Sequence, residues 1–304
     1  MELLNAIFSS SFGFSVIRVT TPILFAALAA LITNKAGVMN IALEGMMLMS
    51  AFTGTVVSAY TQSAFVGVLA AVVAGTAIAM TMAYFAFSLK ADLILTGIAL
   101  NTFSSGATVF LMYMICNDKA STSNLPSCSV PVIDIPVIQN IPVLGEIISG
   151  HNLLTYLAFI SVFVVWMLIY KTPLGLRLRA VGEKADAAQS VGINAVRVQF
   201  AALFLSGIFA GLGGAFMSMG YMSFFSRDML AGRGFIALAA QNMGGAAPFG
   251  TLIASVIFGT ADALSNMLQT LRVPAEVVQM QPYLITIVGL VIYAVTTKKK
   301  KRVN

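Results

Sequence analysis

The sequence predicts an all-α protein that crosses a membrane many times. Of its 304 residues, 59% are hydrophobic and only 9% are charged, whereas soluble domains carry about 25% charged residues. Its charge-free stretches are long enough for helical spans of roughly 20 apolar residues; they cover 45–89, 93–117, 152–170, 198–226 and 235–261. They lack the alternation typical of a membrane β-barrel, so we expect helices to be the spanning elements.

The apolar segments predict a polytopic transmembrane helix bundle of about nine spans, within a range of eight to ten. The predicted spans are 14–33, 38–60, 64–88, 92–115, 152–170, 198–221, 234–246, 250–269 and 277–297. The seventh is short and rich in Gly, which favours a broken or re-entrant segment enclosed by protein or water. We therefore treat residues 1–304 as a single transmembrane domain.

The basic residues predict the orientation in a bacterial plasma membrane. With a cytoplasmic C-terminus, twelve of the seventeen Lys and Arg residues lie inside, five of them in the tail 298–304. Such an excess marks the cytoplasmic side. The net charge of +6 therefore indicates a membrane surface rather than nucleic acid. The five basic residues expected outside are Arg18, Lys119, Arg227, Arg233 and Arg272.

Two connections are long enough to carry structure of their own. The external loop 117–151 contains four prolines, which predicts an irregular cap. Cys116 and Cys128 at its start could form a disulfide or remain two free thiols. The cytoplasmic connection 171–199 contains an Ala-rich piece at 183–191 that predicts a short helix, ended by Gly192. A structured connector of this length suggests a docking site.

Polar residues inside the apolar segments are candidates for a transport path. Ionisable groups at membrane depth are costly and usually functional, although a carboxylate can also bind a neighbouring helix end. Uncharged polar groups could line a path or lock helices together. The candidates are Asn40, Glu44, Asn101, Gln241, Asn242, Asp262 and Asn266, and Glu276 lies near the external start of the ninth span.

A short internal repeat suggests two inverted halves. GVMNIALEG at 37–45 resembles GRGFIALAA at 232–240. In the predicted topology the first copy starts at the cytoplasmic face and the second at the external face. This is the pattern of an inverted repeat, which is common in transporters.

The residue inventory argues against an enzyme and predicts no catalytic or metal-binding residue. The only histidine, His151, lies beside the external loop, so an intramembrane zinc site or Ser–His pair is not expected. The sequence contains no GxxxxGK[ST] loop for nucleotide phosphates. An ion-coupled secondary transporter, with Glu44 and Asp262 as proton or sodium sites, remains an alternative.

Several motifs carry a family resemblance over nearly the whole chain. DAAQSVG at 186–192 resembles the EAA-x-x-x-G loop of binding-protein-dependent ABC importer permeases, with Asp186 where Glu is usual. The blocks at 34–52, 172–194, 234–240 and 141–145 resemble the branched-chain amino acid and simple-sugar permease family. The segment NIALEGMML at 40–48 is most similar to the nucleoside branch of this family, whose binding protein is a basic membrane lipoprotein.

This resemblance implies a permease subunit that performs no chemistry. A second permease, usually a different chain, would pair with it, and a cytoplasmic ABC ATPase would hydrolyse ATP, so no cofactor is expected in this chain. A substrate-binding lipoprotein would deliver a nucleoside, or alternatively a simple sugar or branched-chain amino acid. Contact with the ATPase would fall on Glu183, Asp186, Ala187, Ala188 and Gly192.

Overall fold

The computed structural model describes residues 9–134 and 144–270 of the chain. The predicted ninth span 277–297, the tail 298–304 and Glu276 lie outside the described residues, as do residues 135–143 of the external loop. Helices dominate the described part, which makes the chain an all-α polytopic membrane protein, as the composition predicts.

Eleven α-helices are present in the described residues. The first four are α1 (Ser10–Lys35), α2 (Leu43–Thr61), α3 (Ala64–Ala83, extended by a π-helical turn Tyr84–Ser88) and α4 (Leu93–Cys116). The long loop that follows holds β1 (Val132–Ile133), α5 (Leu144–Ile148) and β2 (His151–Asn152). The remaining helices are α6 (Leu153–Lys171), α7 (Pro173–Glu183), α8 (Ala185–Ser190), α9 (Ala195–Ala215, extended by a π-helical turn Phe216–Tyr221), α10 (Arg233–Met243) and α11 (Pro248–Thr270).

Six helices within the described ranges are long and apolar enough to cross a membrane. They are Ser10–Lys35, Ala64–Ser88, Leu93–Cys116, Leu153–Lys171, Ala195–Tyr221 and Pro248–Leu268, and each corresponds to a predicted span. One other prediction needs correction, because the segment predicted at 38–60 becomes helical only at Leu43. The segment predicted as short at 234–246 is an 11-residue helix, which covers about 16 Å, roughly half of the hydrocarbon core.

Helix α1 forms the centre of the bundle. All fifteen side chains from 19 to 33 are buried, and the helix packs against α6, α9, α10 and α11. A helix that is apolar on all sides is stable only when other helices surround it. The chain is therefore organised around its first span.

Small residues bring α2, α3 and α9 into close contact. A Cβ on Gly207 of α9 would lie 2.6 Å from the Cα of Thr76, and one on Gly75 would lie 2.6 Å from Ser50 Oγ. A Cβ on Gly214 would overlap the carbonyl oxygen of Met47. Glycine at these positions allows the backbones to approach closely, which favours helix association in a membrane.

The loop between α4 and α6 covers the ends of α4 and α9. The amide of Thr122 donates to the carbonyl of Phe225 at 2.8 Å, and the amide of Val130 donates to Met219 at 2.9 Å. These bonds place the ends of α4 and α9 on one face of the bundle, which we call the loop face. Burial lowers the pKa of His151 in this loop, which favours the neutral ring that stacks on Phe14 at 4.0 Å.

Replacing Gly214 with Ala should destabilise the bundle, because the added methyl group collides with the backbone of α2. Overpacking of this kind costs about 1–3 kcal/mol. Gly106 provides the matched control, since a Cβ there meets no atom within 4 Å. Thermal unfolding in detergent should show a lower midpoint for Gly214→Ala and an unchanged or higher one for Gly106→Ala. Equal midpoints would contradict the close packing of α2 and α9.

Candidate functional site

Helix α2 begins part of the way across the bundle rather than at its edge. Asn101 accepts from the amide of Gly45 at 2.8 Å and donates to the carbonyl of Ile41 at 2.9 Å. Asn101 is the ninth residue of α4, so these bonds lie about 12 Å along α4 from its first residue. The Asn101 side chain thus binds one backbone amide and one backbone carbonyl where α2 starts.

Asn40 supports the same non-helical segment from the other side. Its Oδ1 accepts from the amide of Ala42 at 3.1 Å, and its Nδ2 donates to Ser206 Oγ at 2.9 Å. Ser206 is the twelfth residue of α9, about 16 Å along that helix. The bond to Ala42 explains why the helix predicted from residue 38 starts later, because the Asn40 side chain satisfies a backbone group that a helix would otherwise use.

Glu44 connects the start of α2 with the start of α10. Its Oε1 accepts from the amide of Gly232 at 2.9 Å, and its Oε2 accepts from the amide of Gly234 at 2.7 Å. A carboxylate is favoured at a helix N-terminus, where amide groups lack partners within the helix. Gly232 has φ +83, and a Cβ on Gly234 would lie 2.7 Å from Glu44 Oε2. Glycine therefore fits both positions.

An ion pair holds α10 against α11 beside this contact. Arg233 Nη2 lies 2.8 Å from Asp262 Oδ2, and the two side chains are only 13% and 15% exposed. The distribution of charge predicts an external loop position for Arg233, whereas in the structure it is the first residue of α10. The positive charge escaped recognition as a membrane-depth group because the helix that it begins is only half a span long.

Helices α2 and α10 run in opposite directions from this centre. Helix α2 ends at Thr61, and Gln62 beyond it donates to the carbonyl of Pro126, in the loop between α4 and α6, at 3.1 Å. Helix α10 ends at Met243, where Gly244 packs against Gly250 and Thr251 in the first turn of α11. A cavity lined by Ser11, Ser15, Ala263 and Met267 places the later part of α11 beside the beginning of α1.

Helices α1 and α11 are therefore antiparallel, and α11 starts on the face opposite the loop face. That opposite face carries residues 171–199, and we call it the coupling face. Asn40, Glu44, Asn101 and Asp262 meet where α2 and α10 begin. Gln241 is buried about two turns along α10 from Arg233, and Asn242 beside it is exposed. Asn266 lies toward the loop face, in the cavity with Ser11 and Ser15.

The coupling face presents two short helices in sequence. Thr172 caps α7 by accepting from the amide of Gly175 at 3.1 Å, and Pro173 is its first residue. Helix α8 spans Ala185–Ser190, so the short helix starts later than predicted, and Glu183 ends α7 instead. Gly192 follows α8 with φ +83, in agreement with the predicted helix stop.

Helix α8 buries Ala188 and exposes most of its other residues. Ala188 is 4% exposed and packs inward, whereas Asp186, Ala187 and Gly192 are exposed. Val191, which follows the helix, is 75% exposed. On the loop face, Cys116 and Cys128 are free thiols, and Cys128 Sγ lies 3.9 Å from Gln62 Oε1.

Sequence reasoning missed several partners of the predicted residues, namely Ser206, Gly232, Arg233 and Gly234. The structure brings the two segments of the internal repeat, 37–45 and 232–240, into contact through Glu44. The repeat predicted two inverted halves and not this contact, so no local signal indicated these partners.

Replacing Glu44 with Gln should loosen α10, because the amide group can accept from only one of the two glycine amides. Hydrogen bonds to charged groups contribute about 1.5–3 kcal/mol each. Glu183→Gln is the control, since Glu183 is exposed and outside this contact. We expect a lower unfolding midpoint for Glu44→Gln only. An unchanged midpoint would show that Glu44 does not hold α10.

The chain is similar to known permeases over most of its length. Residues 13–296 match the family described as "Branched-chain amino acid transport system / permease component". The guanosine ABC transporter permease protein NupQ of Bacillus subtilis is 35% identical over 88% of this chain and 87% of its own length. The nucleoside ABC transporter permease protein NupC of Lactococcus lactis is 30% identical over 90% and 89%.

A third relative is named for a different cargo. The putative glucose ABC transporter permease protein TsgC13 of Haloferax volcanii is 31% identical over 86% of this chain and 78% of its own length. No solved structure matches the chain. The family match and the first two relatives cover most of the sequence, so the chain belongs to the branched-chain amino acid transport system permease family.

Proposed function

We propose that this chain is the membrane permease subunit of an ATP-driven, binding-protein-dependent importer of nucleosides. The observation that supports nucleosides as the cargo is the similarity to NupQ and NupC, whose names specify guanosine and nucleosides. A nucleoside is neutral and rich in hydrogen-bonding groups. The polar residues in the described part of the bundle, such as Asn101 and Ser105, are mostly uncharged amides and hydroxyls. Such groups suit a solute of this kind.

A simple sugar is the second candidate cargo. TsgC13 has nearly the same identity to this chain as NupC and is named for glucose. A sugar needs the same kind of uncharged polar passage. An ion-coupled mechanism is less favoured, because the carboxylates of Glu44 and Asp262 are bound by backbone amides and by Arg233 respectively.

Uptake measurements should decide between these cargoes. Cells that produce the permease with its cognate ATPase, second permease and binding protein should accumulate labelled guanosine or uridine. Excess unlabelled nucleoside should block this uptake, and excess glucose or leucine should not. Replacing the phosphate-binding lysine of the ATPase should abolish it. Uptake that survives this replacement, or that glucose alone blocks, would contradict the proposal.

We propose two inverted halves and a span count near nine. The opposite directions of α2 and α10 from a shared centre support the inverted arrangement, and so does the internal repeat. The basic residues support a cytoplasmic coupling face and C-terminus. Loop 117–151 would then face the binding protein, and the tail 298–304 would lie inside.

Transport would follow the polar centre of the bundle. Asn40, Glu44, Asn101 and Asp262 position the helix starts at mid-depth, and they would shape the wall of the path through the helices that they hold. Gln241, Asn242 and Asn266 would extend this wall toward the two faces. In this proposal the same side chains serve as helix locks and as boundaries of the passage.

Segment 171–199 would transmit movement from the ATPase to this centre. A Cβ on Gly182, at the end of α7, would overlap the carbonyl oxygen of Lys35, and Gly37 lies against Gly182 as well. The segment that leads to Asn40 and Glu44 begins at this contact. Movement of α8 in an ATPase cleft would therefore reach the segment before α2 through α7, as a rigid-body displacement.

Replacing Gly192 with Val should uncouple ATP hydrolysis from uptake. Its φ of +83 costs a side chain about 1–2 kcal/mol, so the end of α8 should shift while the membrane helices remain folded. Gly192→Asn is the matched control, because Asn tolerates this conformation better. We expect uptake to fall in the Val variant while the membrane content and ATPase activity persist. Normal uptake by Gly192→Val would contradict the docking role.

A further inference from the structure

The exposed apolar face of α6 ends at an aromatic residue. Four exposed side chains spaced three or four residues apart form one stripe along this helix; they are Ile160, Phe163, Met167 and Tyr170. Hydrocarbon is the expected neighbour of such a stripe, since α6 is long enough to cross it. Tyr170 is one residue before the end of α6. Membranes favour Tyr and Trp at this level, because each ring has an apolar body and a polar tip.

Two basic residues lie against aromatic rings at this end of α6. Arg179 has its Cζ 5.2 Å from the ring centroid of Tyr170, because α7 packs against α6. Lys171 has its Nζ 5.7 Å from the ring centroid of Trp166. An aromatic face attracts a cation but does not neutralise its charge. Both positive charges are therefore held beside the end of the exposed stripe.

Arg179 is a partly buried charge that forms no ion pair within the described part of the chain. Glu183 follows four residues later on α7, a spacing that permits ion pairs on a helix, yet these two side chains form none. Lys35 at the end of α1 is also partly buried, and the positive charge of Arg179 acts on it. Like charges repel more strongly where water is partly excluded. An anion close to both would offset this repulsion.

We define the α6–α7 rim as Lys35, Trp166, Tyr170, Lys171 and Arg179. We propose that this rim binds the phosphate of an anionic phospholipid headgroup. The guanidinium group of Arg179 would donate to two phosphate oxygens, and the two lysines would contribute charge. The acyl chains would lie along the exposed stripe of α6. Basic sites among membrane helices favour anionic headgroups for the same reasons.

The place of the rim in the fold favours a lipid as the source of the phosphate. A phospholipid matches both the positive charges and the apolar stripe that ends beside them, whereas a free phosphate ion would match the charges alone. The rim lies on the coupling face, so in the proposed orientation the lipid belongs to the cytoplasmic leaflet. This inference does not depend on which solute the permease transports.

Fluorescence of Trp166, the only tryptophan of the chain, can report lipid at the rim. The full-length permease would be placed in phosphatidylcholine vesicles that contain a minor fraction of brominated phosphatidylglycerol, which quenches tryptophan on contact. Quenching should exceed that by the same fraction of brominated phosphatidylcholine, and excess inorganic phosphate should leave it unchanged. Equal quenching by the two lipids, or loss of the difference in phosphate, would overturn the proposal.

Substitutions can then assign the preference to the rim. Arg179→Gln should weaken the preference for phosphatidylglycerol about fivefold, and Lys35→Gln should do the same, which is the strength usual for one basic residue near anionic lipid. Because these residues lie on different helices, the test does not depend on α7 alone tolerating a change. Thermal unfolding in neutral detergent would confirm that each variant is folded.

Arg197→Gln is the matched control. Arg197 lies at the start of α9 on the same coupling face, where it is exposed and lies over no aromatic ring of the described residues. Its replacement removes one positive charge and should leave the lipid preference unchanged. An unchanged preference in both rim variants, or an equal loss in Arg197→Gln, would overturn the proposal, since general attraction to a basic surface would then suffice.

Discussion

Backbone polar groups at membrane depth find no hydrogen-bond partner in hydrocarbon, and this constraint underlies the arrangement at the centre of the molecule. The chain interrupts two apolar segments, before Leu43 and before Arg233. Each interruption frees amide and carbonyl groups that hydrocarbon cannot satisfy. Asn40, Glu44 and Asn101 supply the missing partners. Their polarity is therefore explained first by the backbone around them.

This explanation also connects the centre with both faces. Glu44 binds α10 to the start of α2, and Arg233 binds α10 to α11. On the coupling face, the contact of Gly182 with Lys35 and Gly37 joins α7 to the segment that carries Asn40. A displacement of α7 would thus reach α10 through a short series of direct contacts. Such contiguous contacts support mechanical coupling between the coupling face and α10.

The spans with strong apolar character could be predicted from sequence, because length and hydropathy suffice for a helix that crosses lipid. The helix stop at Gly192 was also predictable from its local composition. The beginning of α2 was not, since it depends on Asn40 binding Ala42. Partners such as Ser206 lie 166 residues from Asn40, beyond any local pattern.

The claim most open to direct measurement is that Glu44 joins the two interrupted segments. A cryo-electron microscopy map of the assembled transporter, at a resolution that shows side chains, would test it. The account predicts that both carboxylate oxygens of Glu44 lie within hydrogen-bonding distance of the amides of Gly232 and Gly234, near mid-depth. A map in which α10 starts at a membrane face, or in which Glu44 points away from it, would contradict the account.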